Sequence, residues 1–161
     1  MLPIIGIIVA AASGATIQII QSNATSAHMT ALRQVQTAGY WVSRDSLQAQ
    51  SVVTGASSGF PLTLSWGSGA HEVEYSLKNM ASGDLKYLER NEIVNGDAGN
   101  PIITMTGQYI DSSQTSCELD DVNYVLTFTV TASVAGARGL QTETRTYEIQ
   151  PRPEPVSGGP V

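Results

Sequence analysis

The chain has 161 residues, room for one domain, and 42% of them are hydrophobic, which is enough to bury a core. Its formal net charge is −6, and its 8 Lys and Arg are scattered singly, so it offers no basic surface to a phosphate backbone and nucleic acid is not an expected partner. One cysteine, Cys117, excludes an intrachain disulfide and a cysteine-built metal cage; it reads as a half-buried thiol acting as a small apolar residue, with an intermolecular disulfide as the alternative.

Leu2 to Ile20 reads LPIIGIIVAAASGATIQII, and no Asp, Glu, Lys or Arg occurs before Arg33. At about 1.5 Å per residue this run can span a hydrocarbon layer of about 30 Å as a helix. Three readings are open: a membrane anchor, a secretory signal cleaved within Ala10 to Ala15, or a buried core helix. No positive segment precedes the run, as a signal peptide needs, and a soluble domain rarely keeps so long an uncharged stretch at its end, so the anchor is preferred and residues 1–22 read as a membrane and filament-core helix. Ile4, Ile5, Ile7, Ile8, Val9, Ala11, Gly14, Ile17, Ile19 and Ile20 are then the membrane and assembly surface, and the small residues among them permit close helix contact.

Residues 23–55 continue as an amphipathic helix. Ala31, Leu32, Val35, Gly39, Val42, Leu47, Ala49 and Val53 fall mostly at three- and four-residue spacings, with Arg33, Gln34, Gln36, Arg44, Asp45 and Gln48 on the other side. Leu32, Val35, Val42 and Leu47 are expected to pack the helix on the head. Gly55, Ser57, Ser58, Gly59 and Pro61 end it.

Residues 56–150 change period. Leu62 to Trp66, His71 to Leu77, Leu85 to Glu89, Ile102 to Ile110, Val122 to Val134 and Thr142 to Ile149 read as strands between Gly, Asn, Asp and Ser turns, naturally antiparallel. Residues 151–161 (PRPEPVSGGPV) are too rich in proline to pair in a sheet and are expected to be a disordered tail.

Chemistry is sparse. His28 and His71 are the two histidines, too few for a histidine metal site, and neither has an obvious acid partner for a hydrolase triad in the sequence. There is no G-x-S-x-G elbow and no glycine-rich phosphate loop. Asn95, Asp97 and Asn100, and Glu118, Asp120 and Asp121, are candidate calcium loops, though neither matches the EF-hand spacing and ordinary turns explain both. No catalytic residue, metal site or cofactor is assigned, and an enzyme is not expected.

LPIIGIIVAAA resembles the middle of the N-terminal segment of type IV pilins and of the pseudopilins of type II secretion systems. His28 to Gln50, with its Arg44-Asp45 step, resembles the helix that follows in J-type pseudopilins and W-type minor pilins. Val73-Glu74-Tyr75-Ser76-Leu77 followed by Leu85-Lys86-Tyr87-Leu88-Glu89-Arg90 is similar to the head of the same subgroup. The resemblance implies an α+β fold, a long N-terminal helix packed on an antiparallel β-sheet head. It also implies a structural, minor subunit of a pilus or secretion pseudopilus. Its partners would be other pilin or pseudopilin subunits, and membrane lipid before assembly. The expected location is a single-pass inner membrane segment with an extracytoplasmic head, and a periplasmic or cell-surface filament after assembly. The family's basic leader and the glutamate after it do not occur in this sequence, so the resemblance places them upstream of Met1. A second reading is a tethered binding module that recognises a protein or saccharide through Trp41, Trp66 and Tyr109.

Overall fold

From Leu47 to Arg152 the chain is strand and turn. The computed structural model describes residues 3–152, with side chains from Thr25 onward. Helix α1 (Pro3–Ser46) leads into eight strands: β1 (Ser51–Gly55), β2 (Gly59–Trp66), β3 (His71–Asn79), β4 (Lys86–Val94), β5 (Ile102–Ile110), β6 (Ser116–Asp120), β7 (Val125–Gly136) and β8 (Gly139–Ile149). All pair antiparallel in one sheet of order β1-β2-β3-β4-β5-β7-β6, with β8 on the other side of β7.

This balance corrects the expected α+β architecture of a long helix packed on a sheet. The fold is mostly β, 54% strand, curled into an antiparallel half-barrel, and the helix described against it is the short stretch Thr25 to Ser46. The helix also stops earlier than its apolar spacing suggested. Ala49 N bonds back to the carbonyls of Asp45 and Ser46, and the β-branched run Val52-Val53-Thr54, read as helix, becomes β1. Val52 pairs with Leu64 and is buried, a better use of a stiff β-branched side chain than a helix surface. Strand β6 falls where only an acidic turn was expected. At the far end Pro151 is buried and Arg152 N donates to Ala49 O at 3.0 Å, so the first two residues of the expected tail are held against the fold. Residues 153–161 lie outside the described residues.

Period-2 burial puts one apolar face of the sheet against α1. Leu62 and Leu64 of β2, Val73 and Tyr75 of β3, Leu88 of β4, and Leu126, Phe128, Val130 and Ala132 of β7 are fully buried. Ala31, Val35, Ala38 and Val42 meet them at steps of four, three and four residues, the stripe of an amphipathic helix. Each such large side chain contributes about 1.5–3 kcal/mol of burial.

The helix fills a gap in the sheet. Strands β5 and β7 pair only at Ile110 and Ala132, and where they diverge the Gln34 side chain accepts the Gln108 N–H at 2.8 Å in place of a strand carbonyl. Close approach demands small residues: a Cβ on Gly107 would lie 3.2 Å from the Cβ of Ala38, and one on Gly39 would overlap the Tyr147 ring at 2.0 Å. The Tyr147 hydroxyl, lying in that notch, donates to Val35 O at 3.2 Å.

Candidate functional site

Helix α1 ends on an acid that the sheet must neutralise. Asp45 lies in the last turn, where the helix carbonyls carry partial negative charge and disfavour an anion by roughly 0.3–1 kcal/mol. It is also 1% exposed, and an unpaired buried carboxylate costs several kcal/mol more. The sheet supplies the partners: Arg90 Nε donates to Asp45 Oδ2 at 2.6 Å, and the Tyr75 hydroxyl donates to the same oxygen at 2.6 Å. Arg90 Nη1 donates to Glu92 Oε2 at 2.7 Å, so both ends of its fork are used. Trp41, one turn back on α1, lies 4.9 Å from the Arg44 guanidinium and 5.1 Å from that of Arg90, within cation–π range.

Strand register assembles the group. Tyr75 and Arg90 are directly paired across β3 and β4, with Val73 and Leu88 on the same inward face, so both must aim into the core. Burial and the Asp45 carboxylate push the Tyr75 phenol far above its usual range. For Arg90, burial works to lower the value, but its hydrogen bonds to Asp45 and Glu92 outweigh that and raise it. The same Arg90 bond holds the Glu92 carboxyl below the usual range. All three groups are moved away from neutrality, the opposite of what proton transfer at neutral pH requires. The cluster is a clamp between the end of α1 and the sheet.

The structure brings Arg44-Asp45, Tyr75 and Arg90, which are separate stretches of the resemblance, into this one cluster. Asp45 itself was read onto the polar side of the helix, which the structure corrects: it follows Val42 by three residues and shares its buried stripe. Of the residues expected to pack the helix on the head, Val35 and Val42 are fully buried and Leu32 is half-buried against the core. Leu47 is 58% exposed, a second correction; it lies past the helix end, where helical spacing no longer applies, and Ala49 takes the inward place.

The assembly residues Ile4, Ile5, Ile7, Ile8, Val9, Ala11, Gly14, Ile17, Ile19 and Ile20 lie outside the residues described with side chains. Among the described residues, no helix is long and apolar enough to cross a membrane.

Other candidates resolve into local structure. His28 has an acid partner that its sequence neighbours did not show, Glu143 of β8 at 3.1 Å, while His71 stacks on Trp66 with ring centroids 5.6 Å apart. Among the described residues, neither histidine is hydrogen-bonded to a serine or cysteine, and no group of three or more His, Cys, Asp or Glu could hold a metal ion. Asp97 accepts from Gly99 N and Asn100, and Asp120 from Val122 N and Asn123, so both acidic runs close their own turns. Cys117 is 2% exposed, and burial pushes its thiol up. Tyr109 lines an apolar cleft of about 350 Å³ with Met80, Leu85 and Leu140. No family model, no curated protein and no solved structure matches the chain.

Proposed function

We propose that the chain is a non-enzymatic structural subunit of a pilus-like or secretion filament, held in a membrane by Leu2 to Ile20 before it assembles with related subunits through that segment. The observation that carries this reading is the way α1 enters the head. From Ala27 to Val42 one face is buried on the sheet, and Asp45 fixes the helix end to Tyr75 and Arg90. The helix Thr25 to Ser46, which follows the uncharged stretch in sequence, is therefore held rigidly on the head at its buried face and at its end. A subunit that transmits position from a filament core to a displayed head needs such a junction. The binding-module reading is weaker, because two of its three aromatic contacts are engaged internally: Trp41 with Arg44 and Arg90, and Trp66 with His71.

Assembly of the full chain in a host carrying a filament system tests it. Ala11→Asp is expected to remove the chain from the sheared filament fraction, because a carboxylate in an apolar helix bundle is costly, whereas Ser68→Asp in an exposed turn leaves it there. Retention of Ala11→Asp at the level of the unaltered chain would overturn the proposal.

A further inference from the structure

We infer that β8 is a docking edge for a second copy of this chain, pairing β8 to β8 antiparallel about Thr144. The strand runs eleven residues from Gly139 to Ile149 beside β7 with no register shift. Among the described residues no strand lies on its other side. Natural edges of this length are usually guarded by a proline, a bulge or charged side chains; β8 has no proline, no lysine and no bulge, and its charges Glu143, Arg145 and Glu148 are of both signs, so they can pair with a second copy instead of repelling it. The sheet's two other end strands, β1 and β6, are each five residues long, and β1 is irregular at Thr54 and Gly55.

Backbone direction fixes which groups are free. Thr131 of β7 donates its N–H to the Thr115 hydroxyl and accepts from Asp111 N, both on the side away from β8. Its neighbours Val130 and Ala132 therefore bond to their β8 partners Arg145 and Glu143. By alternation Leu140, Thr142, Thr144, Thr146 and Glu148 turn their N–H and C=O groups outward. On one face of the edge the side chains are already ordered: Thr129 with Thr146, Thr131 with Thr144, and Ser133 with Thr142 share hydrogen bonds of 2.8–3.0 Å between their hydroxyls.

Charge selects the register and the partner. An antiparallel pair centred on Thr144 sets Thr142 against Thr146 of the second copy, and Glu143 against its Arg145 twice over, at the closer, non-hydrogen-bonded positions. Centring on Thr142 or Thr146 leaves both charges opposite uncharged residues. Glu143 already lies by His28, and its second carboxylate oxygen remains for the arginine. Helix α1 lies along β8, with His28 near Glu143 and Val35 near Tyr147, so pairing turns the two helices antiparallel. The second copy therefore belongs to a different membrane or filament, not to the neighbouring place in the same one.

Disulfide trapping of the full chain in detergent solution tests the register. At Thr144 the two Cα atoms would be about 5.5 Å apart, within disulfide range. Thr144→Cys is expected to give a covalent dimer on mild oxidation and Thr142→Cys is not, with Cys117 too buried to contribute. Adding Arg145→Glu or Glu143→Arg to Thr144→Cys should abolish the dimer, and mixing those two charge variants should restore it as a heterodimer. Equal trapping at both positions, no trapping at Thr144, or trapping indifferent to the charge reversals would overturn the proposal. Sedimentation of the charge variants without added cysteine gives the same discrimination where a cysteine disturbs folding.

Discussion

Arg90 of β4 and Asp45 of α1 form an ion pair of 2.6 Å with side-chain exposures of only 3% and 1%. Asp45→Ala is expected to cost about 3 kcal/mol, because Arg90 Nε and the Tyr75 hydroxyl lose their buried acceptor and Arg90 keeps only its Nη1 bond to Glu92. Asp45→Leu combined with Arg90→Met should recover most of that loss, since an apolar pair of similar volume removes both desolvation penalties. Urea denaturation of the single and double variants measures it, and additive losses would contradict the pairing.

Acid should loosen the same cluster. Hydrogen bonding from Arg90 holds the folded Glu92 carboxyl below its ordinary 4.5, so its contribution is complete above that pH and is lost as pH falls through the depressed folded value. Stability measured from pH 7 downward should fall below about 4.5, and Glu92→Gln should flatten that part of the curve. An unchanged acid limb in Glu92→Gln would count against the bond.

Alkali acts through Tyr75. Its phenol is raised above 10.0 in the fold, so its contribution is intact below 10.0 and is lost as the unfolded phenol ionises above it. Tyr75→Phe should lower stability at neutral pH by about 1–3 kcal/mol through the missing bond to Asp45, and show less further loss above pH 10 than the unaltered chain.

Gly39→Ala should be more damaging than a methyl group on a helix normally is. The added Cβ would occupy the Tyr147 ring position, forcing a shift worth about 1–3 kcal/mol. Tyr147→Leu introduced with it should recover part of the loss, as read from thermal unfolding.

Helix face assignments predict opposite outcomes for two neighbouring sites. Val42→Ala should cost about 2 kcal/mol, whereas Leu47→Ala at an exposed position should stay within about 0.5 kcal/mol. Comparable losses at the two sites would mean that the helix extends past Ser46.

Strand positions such as Leu62, Leu64, Phe128 and Val130 were legible because period-2 alternation is strong there. Helix residues Val35 and Val42 were legible from their three- and four-residue spacing. The end of the helix was not: Leu47, Ala49 and Val53 continue that spacing by coincidence, while the β-branched run from Val52 pairs with β2 through contacts some ten residues away. Asp45 was misread because an acid is ordinarily a surface residue, although it lies three residues from Val42 and Arg90 shares the inward parity of Leu88. A buried arginine two positions from a core leucine is itself a signal that an acid is buried nearby. The β8 edge depends on which strand ends the sheet, and a sheet order spanning distant segments is not written in any local pattern.

Membrane partition of the isolated full chain tests the proposed role most directly. In flotation with lipid vesicles, the unaltered chain should rise with the lipid and Ile8→Asp should remain with the soluble fraction, while Asp45→Asn floats despite its weakened head. Flotation of Ile8→Asp equal to that of the unaltered chain, or failure of the unaltered chain to float, would contradict an anchored structural subunit.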